Sequence, residues 1–312
     1  MTKIPVVCLC DTYDLKTFFG TGFQEETPDL ELLRPDEVSD PLAIKYAFAL
    51  WPGPDAFKRF PNVEMLCTPG AGVDGLIDHP ELGDRAVVRL INPEQARMMS
   101  GYAAYHVVGW HRDLWKYQQA QIDQEWVHLD LTPPSQVPIG VLGFGVMGRI
   151  IAEGIAGLGY PVTAWATRTR DHRSVRVVAG DDGLEEILSN SRAIINVLPL
   201  TPMTTNIFDA TRLGMMRPDA MLLQIGRGGH LDHDALRAAL DAGRPGLAVL
   251  DVTVPEPVPK GHWLWTHPKI RITPHIASLS TPAAIARHVA NSIEIFEAGN
   301  MPAAAVDRER GY

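Results

Sequence analysis

The chain has 312 residues, enough for two domains rather than a single core. Its 46% hydrophobic and 21% charged residues are an ordinary soluble balance, and a net charge of -9 excludes a broad nucleic-acid face, which would need positive charge to displace counterions. No apolar run approaches the roughly 20 residues of a membrane span, the run before Asp11 is too short for a secretion signal, and Cys8, Cys10 and Cys67 give no disulfide framework, so a reduced, cytoplasmic protein is expected.

In the first hundred residues, short apolar runs alternate with polar, helix-compatible stretches. Strands are predicted at Ile4–Cys10, Leu30–Leu33, Ile44–Leu50, Val63–Thr68 and Ala86–Ile91, a pattern for a small parallel sheet flanked by helices. Cys8 and Cys10 have strand spacing and should face the same way as buried thiols. From Met98 to Tyr117 the pattern turns helical, with Ser100 placed to cap it. The turn-rich segment Asp130–Gln136 then separates a second series. Strands are expected there at Val137–Leu142, Pro161–Ala166, Ala193–Leu198, Ala220–Ile225, Leu247–Val252 and Arg271–Thr273. Helices are expected at Arg149–Leu158, Gly183–Ser189 and Asp232–Ala242, and an amphipathic helix at Pro282–Ala298 closes the chain.

Gly143-Phe144-Gly145-Val146-Met147-Gly148 follows a strand and opens a helix, the context a dinucleotide-binding fingerprint requires. The first glycine permits a tight turn, the second lets the backbone approach a pyrophosphate, and the third lets helix pack on strand. NAD-preferring sites place an acid about 20 residues further on, to hold the ribose 2′-hydroxyl. Here that region reads Trp165-Ala166-Thr167-Arg168-Thr169-Arg170, with no acid before Asp171. An isolated Arg-x-Arg is ordinarily a solvated basic turn. After such a fingerprint, arginines that can pair with a 2′-phosphate favour NADP(H).

Downstream lie a cation, an acid and an imidazole, each after an apolar run: Arg227 between glycines, Glu256 between prolines, and His275 after Thr273-Pro274. Arg227 can equally be a turn residue and Glu256 a solvated loop acid. With Gly70-Ala71-Gly72-Val73-Asp74, the Gly143–Gly148 loop, Leu198-Pro199-Leu200-Thr201-Pro202-Met203-Thr204, Gly226-Arg227-Gly228, Asp251-Val252-Thr253-Val254-Pro255-Glu256-Pro257 and Thr273-Pro274-His275, nearly the whole chain resembles the D-2-hydroxyacid dehydrogenase family, in particular its glyoxylate/hydroxypyruvate reductase branch.

The resemblance implies an α/β fold of two domains, a Rossmann-type cofactor domain (102–279) inserted into a flavodoxin-like substrate domain (1–101 and 280–312). A cleft between them would hold NADP(H) and a small 2-keto acid. Arg227 would orient the acid and polarise its carbonyl, His275 would donate the proton, and Glu256 would pair with His275 and favour the imidazolium form. Cofactor contacts are implied at Gly143, Gly145, Val146, Met147, Gly148, Thr167, Arg168, Arg170, Leu198, Pro199, Thr204, Ile225, Gly226 and Asp251, the last near the nicotinamide carboxamide. Substrate contacts are implied at Trp51, Gly70, Ala71, Gly72, Val73 and Arg227, whereas Asp74 is expected to cap a helix beginning at Gly75. No metal, nucleic acid or membrane partner is expected, and a homodimer through the Tyr102–Tyr117 region is. Gly101, Thr253 and Gly226 depart from commoner family residues (a glutamate, an aromatic and an alanine), so pocket shape is open. Two alternatives stay open: a reductase of a bulkier acid such as phenylpyruvate, or a non-catalytic NADP(H) sensor like the corepressors that resemble this family.

Overall fold

The computed structural model describes residues 3–309 and 311. Strand β1 (Ile4–Leu9) leads into helix α1 (Leu15–Glu26), whose N-cap Asp14 accepts from Thr17 N–H at 3.1 Å. Strands β2 (Leu30–Leu33), β3 (Tyr46–Ala49), β4 (Met65–Cys67) and β5 (Ala86–Val88) follow. Helices α2 (Pro93–His111) and α3 (Leu114–Ile122) precede β6 (Ile139–Leu142), α4 (Val146–Gly157), β7 (Val162–Trp165), β8 (Arg176–Val178), α5 (Gly180–Asn190) and β9 (Ala193–Asn196). Next come α6 (Ala210–Met215), β10 (Met221–Gln224), α7 (His233–Asp241), β11 (Leu247–Leu250) and β12 (Ile270–Ile272). Helix α8 (Pro282–Glu297) starts with Thr281 as N-cap and proline in its first turn.

The chain divides into two compact units, Met1–Asn92 with Ser280–Tyr312, and Pro93–Leu279. In the first, five parallel strands run in the order β2-β1-β3-β4-β5, the flavodoxin-like order. One face is filled by Phe23, Phe48, Met65 and, from the end of the chain, Ile285, Val289 and Ile293. The other holds Val7, Phe57, Phe60 and Leu66. Helices α1 and α8 meet where Gly22 lies under Pro282: a Cβ at Gly22 would come within 2.4 Å of the Pro282 backbone.

The second unit has seven parallel strands in the order β12-β11-β10-β9-β6-β7-β8. Leaving out the added β12, this is the Rossmann order of a doubly wound sheet, with its switch point between β6 and β9. Strands such as β6, β9 and β10 are buried on both faces, which is why they read as unbroken apolar runs.

Several expectations are corrected. The helix expected from Met98 starts at Pro93 and breaks at Asp113, whose φ of 51° lies in the left-handed region, before α3 resumes at Leu114. Ser100 therefore caps nothing. It sits inside α2 against α4, where a Cβ on Gly154 would lie 2.2 Å from its hydroxyl. The expected boundary at Tyr102 falls within α2, and the second unit begins where that helix begins. Asp74 itself opens a run of turns at 74–78, with no helix beginning at Gly75, so Asp74 is no helix cap. Cys8 is buried as expected, and burial pushes its thiol up to about 12, whereas Cys10 is only half-buried. Among the described residues no helix is long and apolar enough to cross a membrane.

Candidate active site

The glycine loop joins β6 to α4 at the switch point. Gly143 has a φ of 104°, which favours glycine, and a Cβ on Gly148 would overlap the Gly143 carbonyl oxygen at 1.9 Å. Around Gly145 the space is open: a Cβ there meets nothing within 4 Å. Gly145 is also the N-cap of α4 and makes no side-chain capping bond, so the first N–H groups of the helix, at Val146 and Met147, point to where an anion can bind. Beyond β7, Thr167, Arg168 and Arg170 are exposed. Arg170 lies over the Phe144 ring of the glycine loop, 5.4 Å from its centroid. Among the described residues Arg168 has no ion-pair or hydrogen-bond partner, which leaves its fork available to a ligand phosphate. These are the features a dinucleotide with a 2′-phosphate requires, and the residues present fit one.

Arg227 follows β10, Glu256 follows β11 and His275 follows β12, so three adjacent parallel strands deliver them at their carboxyl ends. His275 Nδ1–H donates to Glu256 Oε2 at 3.0 Å. The other carboxylate oxygen, Oε1, accepts from Thr253 N–H at 2.8 Å. Gly228 packs so close to the Thr253 carbonyl that a Cβ would approach it to 2.1 Å, which sets the Arg227 loop beside the Glu256 loop. Arg227 itself is half-buried and extended (φ -143°), with Nη1 donating to the Gly226 carbonyl at 2.9 Å.

Partial burial pushes the Glu256 carboxyl upward, but the hydrogen bonds from His275 and Thr253 and the charges of His275 and Arg227 outweigh it. Its pKa therefore lies below the usual glutamate value. A lowered folded pKa means that the ionised carboxylate stabilises the fold above the ordinary glutamate range, and that this contribution is lost as pH falls through the folded value. With the side chain 39% exposed, solvent keeps the effect small. Glu256→Gln should thus melt slightly below wild type at neutral pH, and the gap should shrink progressively as pH falls below the ordinary glutamate value of about 4.3. Melting curves across pH check this; a gap that widens in acid contradicts it.

His275 has a φ of 54°, a left-handed conformation unusual outside glycine. Asp251 holds that turn. It is 1% exposed, and Oδ1 accepts from Thr273 Oγ1–H at 2.6 Å and Ile276 N–H at 2.9 Å, while Oδ2 accepts from Ala277 N–H at 2.9 Å. Tyr102 of α2 meets the same Thr273 hydroxyl at 2.5 Å. The Asp251 carboxylate is thus engaged by the His275 turn, and the structure gives it a visible role in holding that turn.

Other expected contacts are placed as follows. Leu198, Thr204 and Ile225 are buried, so a ligand near them would meet backbone rather than side chain. Thr204 Oγ1–H donates to the Pro199 carbonyl at 2.7 Å and folds that loop on itself. Trp51, Gly70, Ala71, Gly72 and Val73 lie in the first unit. Trp51 has a φ of 45° and covers Gly75, where a Cβ would lie 2.0 Å from its ring. Val73 turns its side chain into the core at 4% exposure, which leaves only its backbone for a ligand. Asn196, Gln224 and His230, all fully buried at 0% exposure, were not anticipated. For Asn196 and Gln224 the signal was available: a lone polar residue inside an apolar run, as in Ile194-Ile195-Asn196-Val197 and Leu222-Leu223-Gln224-Ile225, is rarely idle, whereas His230 follows two glycines and carries no such signal.

The family model described as D-isomer specific 2-hydroxyacid dehydrogenase, NAD binding domain, matches residues 104–277. A glyoxylate/hydroxypyruvate reductase A of Serratia proteamaculans (strain 568) is 32% identical over 297 residues, 93% of this chain and 95% of that protein. A crystal structure of a D-isomer specific 2-hydroxyacid dehydrogenase from Xanthobacter autotrophicus Py2, in complex with NADPH and MES, superposes with a TM-score of 0.92 at 31% identity, covering 98% of this chain and 99% of that one. An NADPH-dependent glyoxylate/hydroxypyruvate reductase from Sinorhizobium meliloti, in complex with NADP and sulfate, gives a TM-score of 0.91 at 28% identity, covering 99% and 100%.

Proposed function

The chain belongs to the D-isomer specific 2-hydroxyacid dehydrogenase family, and on that premise we propose that it reduces a small 2-keto acid, glyoxylate or hydroxypyruvate, to the 2-hydroxy acid with NADPH. The observation that carries this reading is the His275–Glu256 pair at 3.0 Å beside the Arg227 loop, at the carboxyl ends of three neighbouring strands. NADPH, when bound, supplies the hydride. Arg227 pairs with the substrate carboxylate through its planar fork and draws electron density from the carbonyl oxygen. Because His275 Nδ1–H is turned to Glu256, the opposite nitrogen, Nε2, is the one that gives a proton to that oxygen as it becomes hydroxyl. The neutral imidazole left behind keeps its bond to Glu256, and the reverse reaction returns the proton to Nε2. The open face of Gly145 and the uncapped start of α4 accept the pyrophosphate. Arg168 accepts the 2′-phosphate, and Arg170 stays stacked on Phe144. Exposed apolar side chains on and after α2 and α3, among them Tyr105 at 60%, Ile122 at 73% and Trp126 at 92%, support a homodimer through this region.

The cofactor assignment is tested by kcat/KM for glyoxylate with NADPH and with NADH. Hydrogen bonds to a charged phosphate contribute about 1.5–3 kcal/mol, so wild type should prefer NADPH by about 10–100-fold. Arg168→Asp should abolish that preference by repelling the 2′-phosphate, leaving NADH turnover intact. Equal use of both cofactors by wild type contradicts the role of Arg168.

A further inference from the structure

Where β9 and β10 end, the backbone leaves the sheet and its N–H groups lose their ladder partners, yet the segment is buried and each needs an acceptor. Three buried side chains supply them. Asn196 Oδ1 accepts from Leu198 N–H at 3.3 Å, Gln224 Oε1 from Gly226 N–H at 3.2 Å, and His230 Nδ1 from Arg227 N–H at 3.2 Å. Asn196 Nδ2 joins them, donating to Gln224 Oε1 at 2.7 Å and to His230 Nδ1 at 3.0 Å. With two donors aimed at Nδ1, the ring is the neutral tautomer that carries its proton on Nε2, and Nε2–H donates to the Pro199 carbonyl at 3.1 Å.

We propose that His230 is a positioning residue for both halves of the reaction: one ring nitrogen sets the backbone that carries Arg227, and the other sets the Leu198-Pro199 loop on the cofactor side. The inference rests on the reading above, in which Arg227 meets the keto acid and the 198–199 loop meets NADPH. The two loops leave different strands and are spanned by a single imidazole, so neither can shift without the other. Gly226 belongs to this arrangement. A Cβ there would press on His230 Nδ1 and Cε1 at 3.0 Å and on the Leu198 carbonyl at 3.1 Å. The glycine that departs from the family's commoner alanine is thus matched to the ring beneath it.

The two nitrogens can be separated by substitution. Asparagine can reproduce the Nδ1 acceptor but is too short to reach Pro199, whereas glutamine can reproduce the Nε2 donor and not the Nδ1 acceptor. The experiment measures the NADPH dissociation constant by fluorescence, without turnover, and KM for glyoxylate, in wild type, His230→Asn and His230→Gln. Losing the one buried hydrogen bond of Nε2 should cost about tenfold, and losing Nδ1, which accepts from two donors, at least as much. His230→Asn should weaken NADPH by about that factor and leave KM within about twofold; His230→Gln should do the opposite. Equal losses in both constants for both variants, no loss in either, or the reversed pattern overturns the proposal. Should neither variant fold, Gly226→Ala decides, because it displaces the ring without deleting any atom of the network. Both constants should rise in it, and unchanged constants overturn the proposal. A wild type that binds NADPH but turns over no keto acid would refute the function proposed above instead, and the NADPH measurements would still report on the Pro199 half.

Discussion

Replacing His275 with asparagine should lower kcat for glyoxylate by about 10²–10⁴-fold, the usual contribution of a positioned general acid. Asparagine is the informative choice for two reasons. The position has a φ of 54°, which asparagine tolerates and branched side chains do not. Its amide can also donate to Glu256 as Nδ1–H does, so the turn and the pair survive while the proton donor at Nε2 disappears. NADPH affinity should stay within about twofold of wild type, because no helix or loop of the nucleotide site is disturbed. A variant with kcat within tenfold of wild type contradicts the assignment of the donor.

Arg227→Gln should lower kcat/KM for glyoxylate by about 10²–10³-fold, comparable with the loss of a transition-state hydrogen-bond donor. The loss should appear in KM as well as kcat, since the same guanidinium both holds the carboxylate and polarises the carbonyl. Its backbone is extended and any residue adopts that conformation, so the N–H bond to His230 should persist with NADPH affinity. Arg227→Lys keeps the charge without the fork and should fall between wild type and glutamine. If lysine equals arginine, charge alone suffices and the paired geometry is not needed. Unchanged kcat/KM in the glutamine variant would remove Arg227 from the site.

The sequence displayed the strands of the second unit clearly because β6, β9, β10 and β11 are buried and lie next to glycine, proline or charged punctuation. Elements held by distant partners were not visible. Helix α1 buries few side chains, leaves Phe18 61% exposed, and depends on α8 from the far end of the chain. Strand β8 is an edge strand of three residues with an exposed arginine. Ser100 resembled a cap because serine before an apolar run usually is one; its use as a small residue between α2 and α4 appears only when the helices are packed. The types and order of Arg227, Glu256 and His275 were legible through motif resemblance. What local sequence could not convey was the bonding that fixes them: Thr253 N–H on Glu256, Asp251 around the His275 turn, and His230 under Arg227. Each of those contacts joins the ends of different strands or the two sides of one turn, so it exists only in the folded sheet.

The central claim, that this site turns over a keto acid rather than only binding a dinucleotide, is tested most directly by initial rates of NADPH oxidation with purified wild-type protein. The panel should include glyoxylate, hydroxypyruvate and the bulkier phenylpyruvate, with NADPH binding measured on the same sample. The predicted result is saturable oxidation with glyoxylate and hydroxypyruvate, at a kcat/KM above that for phenylpyruvate, and D-glycerate as the product from hydroxypyruvate. Tight NADPH binding with no oxidation by any member of the panel would contradict it and leave a dinucleotide sensor in its place.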